Sequence, residues 1–316
     1  MSAVAATPHA KFSDPRVTAK GEARAWVELA ALETLWFNTG TLCNITCAHC
    51  YIESSPRNDR LAYLSRADVA QYLDEIAAHR LPTRLIGFTG GEPFMNREMI
   101  PILEETLSRG HETLVLTNAM RPMMRRKAAL LALREKHGSR LRLRVSLDDP
   151  HADIHDAERG EGGFAATLAG LVWLAANGFT IDVAGRVFSH EPEPQLRARF
   201  QSLFDQQAIR IDAHDPSALV IFPEMDPDAD PPEITTACWG ILNKDPREVM
   251  CATARMVVKR KGAEMPSVLA CTLLPYDPQF ELGATLAEAS RPAQLNHKYC
   301  ASFCVLGGAS CGAAKA

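Results

Sequence analysis

The sequence lacks several features that would place it in other classes of protein. Its 34 Lys and Arg against 38 Asp and Glu leave a net charge of −4, so it has no basic excess of the kind typical of nucleic-acid binding. No apolar run approaches the roughly 18 residues of a membrane span. The first residues carry neither the basic nor the apolar part of a secretory signal. We therefore expect no nucleic-acid partner, no membrane contact and a cytoplasmic location.

Cysteine is absent from a stretch of 187 residues and concentrated on either side of it. Three of the nine lie at Cys43, Cys47 and Cys50, and the other six all follow residue 237. An odd total fits poorly with a closed set of disulfides, and clustered cytosolic cysteines more often bind metal or do redox chemistry. Offsets of four and three also put side chains on one helix face, which would make the three buried thiols. The residues around them are mediocre helix formers, which favours a metal-binding loop.

Strand-like and helix-like segments alternate between residues 33 and 223. Apolar runs predict strands at 34–38, 84–89, 113–117, 141–147, 180–187 and 218–222. Amphipathic stretches predict helices near 65–80, 97–109, 122–136, 164–177 and 193–206. Strands that alternate with crossover helices form a parallel sheet. The predicted fold class is therefore α/β, with a partial (β/α)6 TIM-like barrel followed by a small C-terminal domain.

Conspicuous residues follow five of these strands at the ends where barrel enzymes carry their chemistry. The cysteine loop follows the first strand. The others are Gly90-Gly91-Glu92-Pro93, Thr117-Asn118, Ser146-Leu147-Asp148 and Arg186. Their shared position at one rim predicts a single site.

The pattern Cys43-x3-Cys47-x2-Cys50, followed by Gly90-Gly91-Glu92-Pro93, closely resembles the radical SAM superfamily over about residues 33–223. The resemblance implies that the three cysteines hold a [4Fe–4S] cluster. The amino and carboxylate groups of S-adenosylmethionine (SAM) would chelate its fourth iron. Reductive cleavage of SAM would give a 5′-deoxyadenosyl radical that takes hydrogen from the substrate, and a reductant such as flavodoxin or ferredoxin would supply the electron.

The same resemblance gives the strand-end residues their expected roles as SAM ligands. Gly90 and Gly91 would let the backbone approach the amino group, with Glu92 as a nearby acceptor. Thr117 and Asn118 belong to the same predicted SAM-binding set.

Four more residues carry two interpretations each. Ser146 and Asp148 would bind the ribose hydroxyls, or would cap a helix. Arg186 would pair with the methionyl carboxylate, or would form an ordinary strand-end ion pair. Tyr51 would shield the cluster or touch adenine, or would simply pack. Arg159, in the segment that follows, is interpreted as structural.

The C-terminal pattern Cys251-x19-Cys271, Cys300-x3-Cys304-x6-Cys311 resembles the auxiliary-cluster extension called SPASM, or its shorter form, twitch. The full SPASM pattern has seven cysteines, whereas this region has six, so one auxiliary [4Fe–4S] cluster is expected. Its predicted ligands are Cys251, Cys271, Cys300 and Cys304, with Cys311 as the rival fourth ligand. Cys238 is predicted to be a buried thiol. A zinc site is the alternative, because four thiolates also bind zinc.

These patterns predict a lead-in over 1–32, a radical SAM core over 33–223, a linker over 224–237 and an auxiliary-cluster domain over 238–316. About 35 residues precede the first strand, too few for a separate peptide-binding domain. We therefore expect a small-molecule or cofactor-pathway substrate. The alternatives are a peptide- or protein-modifying maturase and a non-enzymatic iron–sulfur or zinc protein.

Overall fold

The structure is a computed structural model that describes residues 10–188, 191–226 and 228–308. The predicted ligand Cys311 lies outside the described residues. The strands are β1 Trp26–Val27, β2 Thr34–Asn38, β3 Leu85–Thr89, β4 Glu112–Thr117, β5 Leu141–Ser146, β6 Thr180–Arg186, β7 Leu219–Phe222, β8 Ala254–Val258, β9 Ser267–Leu269, β10 Glu281–Gly283 and β11 Ala293–Gln294. The helices are α1 Arg66–His79, α2 Met99–Ser108, α3 Arg121–Met124, α4 Lys127–His137, α5 Ala152–Arg159, α6 Gly163–Ala176, α7 Glu193–Gln206 and α8 Cys238–Ile241.

Strands β2 to β7 lie side by side in chain order, and each pairs with the next in parallel. Helices occupy each connection, as parallel pairing requires. The strands are buried on both faces, and Phe37 stacks on Phe88 at 5.6 Å between ring centroids. The predicted α/β class with six parallel strands is confirmed.

The first long helix begins where the sequence predicts. The Ser65 hydroxyl accepts the backbone N–H of Asp68, and the Asp68 carboxylate accepts the N–H of Ser65. The single helix predicted over 122–136 is instead two helices, α3 and α4, separated by Arg125 and Arg126. Helix α5 has no counterpart among the predicted helices.

The C-terminal segment extends the core's own sheet. Strand β8 pairs in parallel with β2, on the side of β2 away from β3, and β9 and β10 continue the sheet antiparallel. Strand β1 of the lead-in pairs with β11 near the end of the described chain. One sheet therefore runs across the predicted boundary between core and C-terminal domain, and the boundaries themselves stay a prediction. No helix in the described part of the chain combines the length and apolar character needed to cross a bilayer.

Candidate active site

The site is a cavity at the carboxyl ends of the parallel strands. Cys43, Cys47 and Cys50 line it together with Gly90 and Gly91. Residues 43–51, hereafter the cysteine loop, follow β2 in irregular conformation rather than as a helix. The helical interpretation of the three thiols therefore does not apply.

The backbone of the Gly90–Gly91 turn packs directly on the chain leading into the cysteine loop. The Gly91 N–H donates to the carbonyl of Gly40 at 2.8 Å. A Cβ on Gly91 would lie 2.2 Å from the carbonyl oxygen of Leu42, and Gly90 has φ +136°. No other residue type fits position 91 without moving one of the two segments.

The sulfur atoms of the loop stand near N–H donors. The Ser54 N–H donates to Cys50 Sγ at 3.3 Å, and Asn118 Nδ2 lies 3.9 Å from Cys43 Sγ. Burial raises the pKa of Cys43 to about 12 and that of Cys47 to about 11. Thiols in such a setting become thiolates when a metal centre displaces their protons. The donor set and its surroundings therefore fit an iron–sulfur cluster.

Glu92 lies beneath the cavity and does not line it. Its carboxylate accepts the Thr117 hydroxyl at 2.9 Å and the backbone N–H of Asn118 at 2.9 Å. It also accepts the Phe94 N–H at 3.1 Å. Burial raises the pKa of Glu92 to about 7 against these three donors. Glu92 thus fixes the end of β4, and its predicted contact with SAM stays a prediction that this position does not favour.

Asp148 lines the cavity, but its carboxylate is already engaged. Arg159 Nη2 donates to it at 2.8 Å and Arg159 Nε donates to its other oxygen. Although burial opposes it, the Arg159 guanidinium holds the pKa of Asp148 below its usual range. Burial lowers the pKa of His155 to about 4, so its neutral ring accepts the Asp148 N–H at 3.2 Å. In this arrangement Asp148 orients Arg159, which also lines the cavity.

Arg186 lies at the end of β6 with both ends of its guanidinium paired. It donates to Glu158 at 2.9 Å and to Glu224 at 2.8 Å. Glu158 also accepts the backbone N–H of His49 at 2.9 Å and contacts the His49 ring at 2.7 Å. An arginine held by two carboxylates matches the ion-pair interpretation more closely than a free carboxylate receptor.

The other predicted SAM ligands reach the cavity. Tyr51, Thr117, Asn118 and Ser146 all line it. Asn118 Nδ2 also donates to the side chain of Asn44 in the cysteine loop at 2.9 Å.

Part of the cavity lining is apolar and comes partly from the C-terminal segment. Its large side chains are Phe222, Met225, Leu273 and Phe303. Phe222 and Phe303 stack with their ring centroids 6.0 Å apart. The cavity therefore combines the polar groups of the strand ends with an apolar surface.

Cys251, Cys271 and Cys300 lie near one another, and their role as cluster ligands stays a prediction. Cys300 is buried, and burial together with the neighbouring Cys271 and Cys251 raises its pKa well above the usual value. Cys304 follows one turn later in the π-helix Cys300–Leu306. Cys238 is half-buried, and its sulfur accepts the Thr235 N–H at 3.3 Å.

No three His, Cys, Asp or Glu side chains among the described residues stand close enough together to hold a single metal ion. The thiolates of a [4Fe–4S] cluster bind different irons and stand farther apart.

Glu158 is a site residue that the sequence does not single out, and Arg159, interpreted from the sequence as structural, also lines the cavity. Both lie on α5, a helix that the sequence pattern does not predict. Their signal was a pair of adjacent opposite charges ten and eleven residues after Asp148, which spacing alone does not link to the cysteine loop.

Residues 37–190 match the Radical SAM superfamily. This chain therefore carries a radical SAM domain. Members use a [4Fe–4S] cluster and SAM, and its homologues are enzymes that catalyse radical reactions.

Two named relatives match just under half of the chain. The "Antilisterial bacteriocin subtilosin biosynthesis protein AlbA" of Bacillus subtilis is 33% identical over 147 residues, 46% of this chain and 31% of that protein. The "Mycofactocin maturase MftC" of Mycolicibacterium smegmatis is 28% identical over 138 residues, 44% of this chain and 33% of that protein. The chain thus matches about a third of the length of these relatives.

Among solved structures, Streptococcus suis SuiB bound to S-adenosylmethionine superimposes with a TM-score of 0.59 at 12% identity. The match covers 81% of this chain and 64% of SuiB. At that identity the likeness shows the fold alone.

Proposed function

We propose that this chain is a radical SAM enzyme in which Cys43, Cys47 and Cys50 hold the [4Fe–4S] cluster. One observation carries the proposal: the three thiols and the Gly90–Gly91 backbone line the same cavity at the carboxyl ends of the parallel strands. A bound cluster would deliver an electron to SAM, giving methionine and a 5′-deoxyadenosyl radical that takes hydrogen from the substrate.

The chain's own residues bind and orient the reactants. The exposed edge of the Gly90–Gly91 turn offers backbone groups to the amino group of SAM. Ser146 and Asn118 line the cavity with hydrogen-bonding side chains suited to the ribose and the amino-acid part. Arg159 and Arg186 both line the cavity. We assign the SAM carboxylate to Arg159, because Arg159 pairs with one carboxylate, Asp148, whereas Arg186 pairs with two, Glu158 and Glu224.

An auxiliary [4Fe–4S] cluster held by Cys251, Cys271 and Cys300 forms the second part of the proposal, with Cys304 or Cys311 as fourth ligand. The buried positive charge of Arg255 supports this second part. The Arg255 guanidinium is 1% exposed, and within the described residues it donates only to backbone carbonyls, among them Cys251 at 2.6 Å. A buried cation without a carboxylate is costly. An anionic cluster on Cys251 would supply the missing counter-charge.

We further propose a peptide substrate, the alternative to the small molecule first expected. The named relatives are a bacteriocin biosynthesis protein and a maturase. Phe222, Leu273 and Phe303 in the cavity lining suit an apolar side chain of the substrate.

The test is anaerobic reconstitution with iron and sulfide, followed by SAM and dithionite, with 5′-deoxyadenosine measured by chromatography. We expect the product from the wild type and its loss in Cys47→Ala, whereas the control Cys238→Ala keeps it. SAM binding without product indicates that cleavage needs the substrate. Absence of both binding and product would favour a non-enzymatic iron–sulfur protein.

A further inference from the structure

Four arginines line one groove that also includes Asn44 of the cysteine loop. Arg97 comes from the segment before α2, Arg121 opens α3, and Arg125 and Arg126 separate α3 from α4. Arg97, Arg121 and Arg125 are exposed and Arg126 is half-buried. The remaining walls are Asn44, Phe94, Met95 and Pro122. We call this surface the arginine groove.

None of these four guanidiniums forms an ion pair with another residue that the structure describes, whereas two arginines elsewhere do. Arg66 and Arg109 both pair with Glu105 on α2. Glu98, next to Arg97, is occupied by the N–H of Arg66 at 2.8 Å. In a chain whose net charge is −4, such a concentration of positive charge marks a surface for an acidic partner.

The groove reaches the cysteine loop at Asn44. Asn44 lines the groove and directly follows Cys43 in the chain. No residue lines both the groove and the cavity. A partner in the groove therefore comes close to Cys43 without entering the space for SAM and substrate. That position suits electron delivery, since electron tunnelling falls steeply with distance, and it does not suit a substrate.

We propose that the arginine groove is the docking surface of a small acidic one-electron carrier protein that reduces the cluster of Cys43, Cys47 and Cys50. This rests on the proposed function. One electron leaves the reduced carrier and enters the cluster, so the carrier is oxidised and the cluster is reduced by one electron, with no bond formed and no proton moved. Redox encounters use small interfaces, and the half-buried Met95 and Pro122 add apolar surface to the same groove.

The test uses the full chain, reconstituted anaerobically, with flavodoxin hydroquinone as the probe. The variant Arg121→Glu/Arg125→Glu reverses two exposed charges of the groove. The matched control, Arg80→Glu/Arg210→Glu, reverses two exposed arginines elsewhere and changes the net charge equally. Stopped-flow absorbance gives the rate of cluster reduction by flavodoxin and, separately, by dithionite. Calorimetry gives the affinity for flavodoxin.

We expect the groove variant to slow reduction by flavodoxin roughly tenfold or more, the lower end of what electrostatic steering contributes. Its affinity should fall, while the dithionite rate and the iron content stay unchanged. The control pair should behave like the wild type, and added salt should slow flavodoxin in the wild type. Equal effects of the two pairs, or a wild-type rate in the groove variant, would overturn the proposal.

Two further outcomes distinguish the docking proposal from the proposed function and from the binding of an acidic peptide. If the chain binds flavodoxin in the groove but takes up no cluster, the proposed function fails while the docking surface stands. If the groove variant is reduced normally but loses affinity for a poly-glutamate peptide, the groove binds an acidic peptide and the electron-carrier proposal is wrong.

Discussion

The carboxylate of Glu158 lies 2.7 Å from the ring of His49, so helix α5 is tied to the cysteine loop. The same carboxylate accepts the backbone N–H of His49, and the Glu158 carbonyl accepts the N–H of Ala48. On its other side Glu158 meets Arg186. The buried Glu158 side chain thus links His49 of the loop to Arg186 at the end of β6, and the Glu158 backbone carbonyl holds the neighbouring Ala48.

We expect Glu158→Ala to loosen the loop. Two charge-assisted hydrogen bonds to His49 are lost, each worth about 1.5–3 kcal/mol, so the free energy of unfolding should fall by about 3 kcal/mol or more. The reconstituted variant should also lose iron to a chelator faster than the wild type. Glu224→Ala is the control, because it removes the other partner of Arg186 but no bond to the loop. Equal rates of iron loss in the two variants would show that Glu158 does not stabilise the cysteine loop more than Glu224 does.

Gly91→Ala should displace the cysteine loop. The added Cβ would lie 2.2 Å from the Leu42 carbonyl oxygen, a contact that forces one segment to move. Overpacking of this kind costs about 1–3 kcal/mol. We expect a lower melting temperature and less iron per chain after reconstitution. The matched change Gly240→Ala meets nothing within 4 Å and should leave both measurements as in the wild type. Normal iron content in Gly91→Ala would mean that the two segments are not held together.

Much of the barrel could be predicted from the sequence because its signals are local. The strand Thr34–Asn38 and the helix Glu193–Gln206 lie where apolar runs and periodicity indicate. The Ser65–Asp68 capping box fixes the start of α1 within four residues of chain. The parallel pairing of β8 with β2 joins residues about 220 apart, and no local pattern specifies it.

The location of the site could be predicted from the sequence, but the hydrogen-bond and ion-pair partners of its residues could not. The residues at the strand ends do converge on one cavity, since parallel strands end at one rim. The exception, Glu92, is buried just below it. Which charge pairs with which was not predictable. Asp148 and Arg186 are both expected to bind SAM. In the structure Asp148 pairs with Arg159 and Arg186 pairs with Glu158, and both of these partners lie on the short helix α5. Burial forces such pairing, and burial is a property of the folded chain.

The Asp148–Arg159 pair should show strong coupling in a double-mutant cycle. Asp148 is 1% exposed, so Arg159→Ala leaves a buried carboxylate without its cation, and Asp148→Ala does the reverse. Breaking one side of a buried pair costs about 3–5 kcal/mol. We expect each single variant to lose about that much unfolding free energy in urea, and the double variant to lose clearly less than the sum. Additive losses would mean that the two residues act independently.

Variants of Arg255 should change the properties of the proposed auxiliary cluster and not those of the cluster in the cysteine loop. In a chain carrying Cys43→Ala, Cys47→Ala and Cys50→Ala, any remaining cluster belongs to the C-terminal cysteines. We expect this variant to retain iron and sulfide. Adding Arg255→Met removes the buried positive charge beside Cys251, so the oxidised cluster becomes relatively more stable and the midpoint potential falls.

Two control variants test whether the fall in midpoint potential comes from the lost charge of Arg255. Arg255→Lys retains the charge and should keep a potential nearer to that of the parent. Arg24→Met removes another fully buried arginine, one paired with Glu233, and should lower stability without moving the potential. Spectroelectrochemistry of the reconstituted variants gives the potentials, and thermal melts give the stabilities. If the triple cysteine variant retains no iron, the proposal of an auxiliary cluster is wrong. If it retains iron but Arg255→Met leaves the potential unchanged, the buried guanidinium only anchors the Cys251 carbonyl and does not balance the charge of the cluster.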